Sequence, residues 1–222
     1  MTTTPFELVV LDMAGTTVVD DGLVESAFAR AWDRVVATDE GRTDAMDHVR
    51  ATMGQSKIEV FRALADEGTA QALNAAFEDA FRELIDEGRC EPIDGAREAI
   101  ESLRARGLKI AFTTGFARPT AEAILHSLGW SELADVVLAP SDAGRGRPAP
   151  DLNLTALLRT ATSSVAAMVC VGDTESDSAA GRSAGAGLTV GVLTGGRAED
   201  ALLAAGADLV LASIADLPAA LP

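Results

Sequence analysis

Phe6-Glu7-Leu8-Val9-Val10-Leu11-Asp12-Met13-Ala14-Gly15-Thr16-Thr17 decides the fold. A short apolar run, Phe6 to Leu11, stops abruptly at Asp12 and is followed by Gly15, the pattern of a buried strand feeding a polar loop. The same unit returns at Leu108 to Phe112 before Thr113-Thr114-Gly115, at Val136 to Leu138, at Val165 to Val171 before Gly172-Asp173, and at Leu188 to Val192. Helical spacing fills the gaps, as in Ala96, Ala99, Ile100, Leu103 and in Ala121, Ile124, Leu125, Leu128. Strands alternating with helices predict an α/β fold with a parallel, doubly wound sheet. Ligands bind such sheets outside the carboxyl ends of the strands, where these polar loops converge.

One region breaks the alternation. From Leu23 to Gly88 every periodic segment reads as helix: Val24, Ala27, Phe28, Ala31, Val35, then Ile58, Phe61, Leu64, then Leu73, Phe77, Ala80, Phe81, Leu84. The expected organisation is a core of residues 1–18 and 91–222 with an all-helical cap of 19–90 over its ligand edge. Pro92 and Gly95 mark the return to the core, and the Ala-, Leu- and Pro-rich tail from Leu209 closes it.

Composition bounds the function. The chain has 222 residues, 48% hydrophobic and 23% charged, as in a globular protein rather than a disordered one. A net charge of −16 argues against a nucleic-acid backbone or an anionic membrane as partner. The polar start at Met1 to Pro5 and the lack of an 18-residue apolar stretch give no sign of a leader or membrane span. Two cysteines, Cys90 and Cys170, make no disulfide framework and fit a reducing, cytoplasmic setting. Two cysteines and two histidines, widely separated, make no zinc site of familiar spacing. His48 is a weak candidate in the cap, His126 falls on an exposed helix side, and Trp32 and Trp130 read as packing residues.

The loops carry the chemistry. Asp12, at a strand's carboxyl end, can be a nucleophile, a metal ligand or a turn residue. Asp173 and Asp177 follow another strand and share a helical face if a helix begins there; Asp173 alone reads equally as an N-cap. Carboxylates about 4 Å apart repel by roughly 4 kcal/mol at an effective dielectric of about 20, so convergence on Asp12 calls for a cation, and hard oxygen donors suit Mg²⁺. Thr114 and Gly115 offer a hydroxyl and an N–H to a phosphate oxygen. Arg147, between Gly146 and Pro148, can neutralise anions. Ser56 and Glu59 have capping-box spacing. That box makes Lys57 the first helical residue, either an exposed lysine whose tip bends into solvent or one whose pKa the helix dipole lowers from about 10.4 towards a neutral, nucleophilic amine.

Asp12-Met13-Ala14-Gly15-Thr16-Thr17, Thr114-Gly115, Arg147-Pro148 and Gly172-Asp173 through Asp177 together resemble, in order and spacing, the four motifs of the haloacid dehalogenase superfamily. The resemblance spans the core. It implies a Rossmann-like core, a hydrolase with Mg²⁺ at Asp12, Ala14, Asp173 and Asp177, and an aspartyl-phosphate on Asp12. Superfamily phosphatases carry a second aspartate, the acid for the leaving oxygen, where Ala14 stands. That alanine, with Met53-Gly54-Gln55-Ser56-Lys57, looks like the phosphonatase branch, the phosphonoacetaldehyde hydrolases, in which the cap lysine condenses with the substrate aldehyde. The catalytic set so implied is Asp12, Lys57, Thr114 and Arg147. Ala14, Gly15, Thr16, Met53, Gly54, Gly115 and Phe116 then contact a small phosphonate, and a homodimer through the cap is implied as well. Leu23, Val60 and Phe116 replace the branch's cysteine, histidine and tyrosine, which leaves the particular carbonyl phosphonate open. Two alternatives stand beside this reading. One is a phosphomonoester hydrolase like the phosphoglycolate phosphatases; the other is a signalling protein phosphorylated on aspartate.

Overall fold

The computed structural model describes residues 5–222, so the polar start at Met1–Thr4 lies outside the described residues. Six strands form one sheet: β1 (Leu8–Asp12), β2 (Lys109–Thr113), β3 (Val136–Leu138), β4 (Met168–Gly172), β5 (Leu188–Val192) and β6 (Leu209–Leu211). All pair in parallel, in the order β3-β2-β1-β4-β5-β6. Every residue of β1 is buried, as expected for a central strand covered on both faces. The period-2 alternation sends Val9 and Leu11 into the core that reaches the inserted helices, and Leu8 and Val10 into the smaller core behind the sheet.

The chain leaves β1 in one direction for β2 and β3, then crosses back to β4, β5 and β6. The switch point is therefore at the carboxyl ends of β1 and β4, where open sheets bind ligands. Between β1 and β2 run α1 (Leu23–Val35), α2 (Arg42–Ala51), α3 (Lys57–Leu64), α4 (Glu67–Asp86) and α5 (Ala96–Ala105). The remaining helices are α6 (Arg118–Ser127), α7 (Asp151–Arg159), α8 (Glu175–Ala184), α9 (Glu199–Ala205) and α10 (Leu217–Ala220).

The apolar stripes of α1, α3 and α4 meet through aromatic rings. Phe28 stacks on Phe61 at 5.4 Å between centroids, Phe61 meets Phe77 edge-on at 5.9 Å, and Phe77 and Phe81 lie 6.2 and 4.6 Å from Phe116. Such pairs contribute about 0.5–1.5 kcal/mol each beyond the area they bury. Phe116 belongs to the loop after β2, so a core residue completes the inserted helices' aromatic cluster. The two connections also run side by side: Val18 bridges Pro92 antiparallel, and Val19 N–H donates to Glu91.

Three expectations need correction. Val165–Ala167 is a 3-10 turn, and the strand starts only at Met168. The tail is more than a closing segment: Leu209–Leu211 is the edge strand β6, paired in parallel with β5. Asp173 is neither helical nor an N-cap, because Thr174 caps α8 and the helix begins at Glu175. Trp32 and Trp130 are buried, and His126 is exposed.

Candidate active site

Asp12 is the last residue of β1 and Asp173 follows β4 directly, so the switch point alone brings them together. Asp177 joins them from the first turn of α8. There the Thr174 and Asp177 side chains cap each other's backbone N–H, which fixes the Asp177 carboxylate. One oxygen each of Asp12, Asp173 and Asp177 lies within 4.8 Å of the others, and all three residues are buried. Thr16 Oγ1 donates to Asp173 Oδ1 at 2.9 Å. Gly15 is required here: its φ is +82°, and a Cβ would lie 2.4 Å from Asp173 Oδ2.

Arg147 supplies the one cation among them. Its Nη1 lies 2.6 Å from Asp12 Oδ1 and also pairs with Asp177 Oδ1, while its Nε–H is buried without an acceptor among the described residues. Three carboxylates against one guanidinium leave two negative charges uncompensated. Burial, outweighing the Arg147 charge, pushes the Asp12 carboxyl up to about 7; burial and the neighbouring carboxylates push Asp173 well above the usual range. Buried hard-oxygen donors with surplus charge are what a divalent cation takes up, so the residues present fit one.

The second half of the site faces the first across a cavity of about 330 Å³. Asp12, Ala14, Thr114, Gly115, Phe116, Arg147 and Asp173 line its sheet side; Met53, Gly54 and Lys57 line its helical side. Of the residues expected at the site, Gly15, Thr16 and Asp177 sit behind this wall rather than in it. Thr114 Oγ1 accepts the Phe116 N–H at 3.1 Å. Gly115 is needed for the approach of the two halves: a Cβ there would meet the Gln55 carbonyl oxygen at 2.3 Å, and its own carbonyl accepts the Lys57 N–H at 3.1 Å.

Lys57 is the first residue of α3, but the expected capping box does not form. The Ser56 side chain accepts no cap hydrogen bond, and Glu59 turns outward to pair with Arg62 at 2.6 Å. Ser56 is instead buried where the two halves meet. The Lys57 amine has no hydrogen-bond or ion-pair partner among the described residues and lies 5.4 Å from the centroid of the Phe116 ring. Its pKa is lowered, first by burial, with Asp20 the strongest opposing charge. Desolvation therefore does what the sequence reading assigned to the helix dipole.

The family model for haloacid dehalogenase-like hydrolases matches residues 6–185. The chain belongs to that family. Among its curated relatives, a phosphonoacetaldehyde hydrolase of Bacillus cereus (strain AH187) is 34% identical over 206 residues, covering 85% of this chain and 76% of that one. A hydrolase from Pseudomonas syringae shares the fold with a TM-score of 0.84 at 24% identity, over 95% of both chains. A phosphonoacetaldehyde hydrolase-like protein from Oleispira antarctica does so with 0.78 at 23% identity, over 98% of this chain and 92% of that one. This haloacid dehalogenase-like hydrolase also places groups at the site that sequence reading passed over. Asp20, Glu25, Arg50 and Arg197 line the cavity. Glu78, on α4, accepts the Ala117 N–H and the Thr120 hydroxyl across the gap. Asp20-Asp21-Gly22 has the composition of any solvated loop, and Glu78 sits in an ordinary amphipathic pattern, so neither carried a local signal. His48 is half-buried on α2, and its Nε2 has no partner among the described residues.

Proposed function

We propose that this hydrolase cleaves the carbon–phosphorus bond of a phosphonate bearing a carbonyl on the adjacent carbon, phosphonoacetaldehyde or a close relative. In this reading residues 19–90 form the cap of a core made of 1–18 and 91–222. The observation that carries it is the Lys57 amine, unpaired and desolvated, in the same cavity as Asp12. Curated relatives named phosphonoacetaldehyde hydrolase support the same substrate class.

The Lys57 amine adds to the carbonyl carbon and, with loss of water, gives an iminium. Asp12 attacks phosphorus, and the electron pair of the breaking C–P bond moves into the iminium as an enamine. No acid is needed beside the nucleophile, which agrees with Ala14 where an alkoxide leaving group would require one. Arg147 offsets charge on Asp12 and the phosphoryl oxygens, and Thr114 and Gly115 hold one of those oxygens. Met53 and Gly54 close the helical side, and the Phe116 ring packs under the amine. Asp12, Asp173 and Asp177, with Ala14 beside them, would hold Mg²⁺, which would supply positive charge against the phosphoryl group. Water then releases phosphate from Asp12, and hydrolysis of the protonated enamine returns Lys57.

The test is incubation with phosphonoacetaldehyde and Mg²⁺, with phosphate and acetaldehyde measured as products. Equimolar release by the native chain, and loss by a factor of about 10³ or more in Lys57→Arg, is expected, since a guanidinium keeps the charge but cannot form the imine. Phosphate released only from phosphate esters, with Lys57→Arg still active, would replace this reading by a phosphomonoester hydrolase.

A further inference from the structure

Imine formation at Lys57 needs a proton donor, and the cavity contains few. Its lining includes no histidine or cysteine, and the chain has no tyrosine. Asp12, Asp173 and Arg147 are engaged with one another and with the cation site. Glu25 pairs with Arg50 at 2.8 Å, and Arg197 with Glu175 at 3.5 Å. Glu78 faces Lys57 electrostatically, but its two oxygens are taken by Thr120 and Ala117. Asp20 remains. Its Oδ1 accepts the Val24 N–H at 3.0 Å and the neighbouring Leu23 N–H also faces the carboxylate, but no side chain bonds to it and no cation lies within ion-pair distance of it among the described residues.

Resting on the reading of Lys57 above, we propose that Asp20 is the acid–base catalyst of imine formation. Asp20 lines the same cavity and is the foremost countercharge to the Lys57 amine, yet stands beyond ion-pair distance. Both side chains line the cavity that would hold the substrate's carbonyl. The position is also fixed, because Asp20 follows the paired Val18–Val19 connection and leads into α1. Burial raises the Asp20 carboxyl from its ordinary value.

The proton balance is complete. As the Lys57 nitrogen bonds to the carbonyl carbon, the carbonyl π pair moves to oxygen, which takes the Asp20 proton. The resulting carboxylate removes a proton from nitrogen, giving a neutral carbinolamine and protonated Asp20. The carbinolamine C–O bond then breaks, its hydroxyl leaving as water with the Asp20 proton while the nitrogen lone pair forms the C=N bond. Amine, carbonyl and carboxylic acid have become iminium, water and carboxylate. The Asp20 carboxylate now faces the iminium charge.

The experiment is rapid-quench borohydride trapping with phosphonoacetaldehyde, read as mass added to the Lys57 peptide. Asp20→Asn keeps an oxygen for the Val24 N–H but has no acidic proton, so trapping is expected to slow about 100-fold or more at an unchanged melting temperature. Asp20→Ala should trap slowly, and added formate should restore part of the rate, a response that a role in capping α1 does not give. Trapping of Asp20→Asn at the native rate would overturn the proposal. So would a slow Asp20→Ala chain indifferent to formate, which would leave Asp20 a purely structural role. A native chain that never labels at Lys57 removes the Lys57 reading itself, and Asp20 falls with it; labelling of the native chain separates the two failures.

Discussion

The two walls of the cavity treat charge in opposite ways. On the sheet side, three buried carboxylates crowd around Arg147, each held by a neighbour: Asp12 by Arg147, Asp173 by Thr16, Asp177 by Thr174. On the helical side Glu25 and Arg50 pair with each other, while the Lys57 amine has an aromatic ring beneath it and no hydrogen-bond or ion-pair partner among the described residues. The crowded wall carries surplus negative charge that a cation would offset. The sparse wall holds an amine whose charged form is poorly solvated and whose neutral form is a nucleophile. In the proposed reading the second wall receives the carbonyl of a substrate that also carries a phosphoryl group.

The largest effect should come from the crowded wall. Asp12→Asn keeps the shape but removes the nucleophile, and phosphate release is expected to fall by 10⁴-fold or more, measured in the presence of Mg²⁺. Undiminished turnover would break the assignment of that wall.

A smaller effect concerns its surplus charge. The folded chain holds the Asp12 proton up to about pH 7, whereas an unfolded chain releases it near 3.9. Stability from this group is therefore present at low pH and lost as pH rises through that window in metal-free protein. Adding Mg²⁺ should raise the melting temperature by several degrees at pH 8 and by distinctly less at pH 5, measured by thermal unfolding with and without EDTA. An equal gain at both pH values would separate cation binding from the carboxylates.

The smallest effect belongs to the sparse wall. Lys57 has its pKa lowered in the fold, so at neutral pH its charged form costs stability, and the cost fades as pH rises towards the unfolded lysine value. Lys57→Met should leave the protein as stable as the native chain or more so, by about 1 kcal/mol at pH 7 in denaturant unfolding. A clear loss of stability would mean that Lys57 is a structural contact.

How far each wall can be read from sequence follows from how it is built. The sheet wall is local: Asp12, Thr114, Gly115 and Asp173 each end or follow an apolar strand, so strand-end spacing exposes them. The parallel alternation and the helical insert were legible for the same reason, through runs such as Leu8–Leu11 and the stripe Leu73, Phe77, Phe81, Leu84. The edge strand β6 was not, although the equally short edge strand β3 was: Leu209–Leu211 lies in an Ala-, Leu- and Pro-rich tail that hides its run. The helical wall is assembled by contact between distant segments. Lys57 could be placed at the start of α3, but the reason its amine is desolvated lies in Phe116 and the approach of Gly115 to Gln55. Asp20 and Glu78 acquire meaning only through that closure. The capping box failed on the same ground: Ser56 is buried at the junction, and Glu59 found Arg62 instead.

The account turns on whether Lys57 is a nucleophile or a charge. The direct measurement is peptide mass analysis after borohydride reduction of the native enzyme with phosphonoacetaldehyde, repeated across pH. The account predicts a reduced adduct on the peptide containing Lys57, absent from Lys57→Arg at every pH tested. No adduct on that peptide at any pH, while the same preparation releases phosphate, would contradict it.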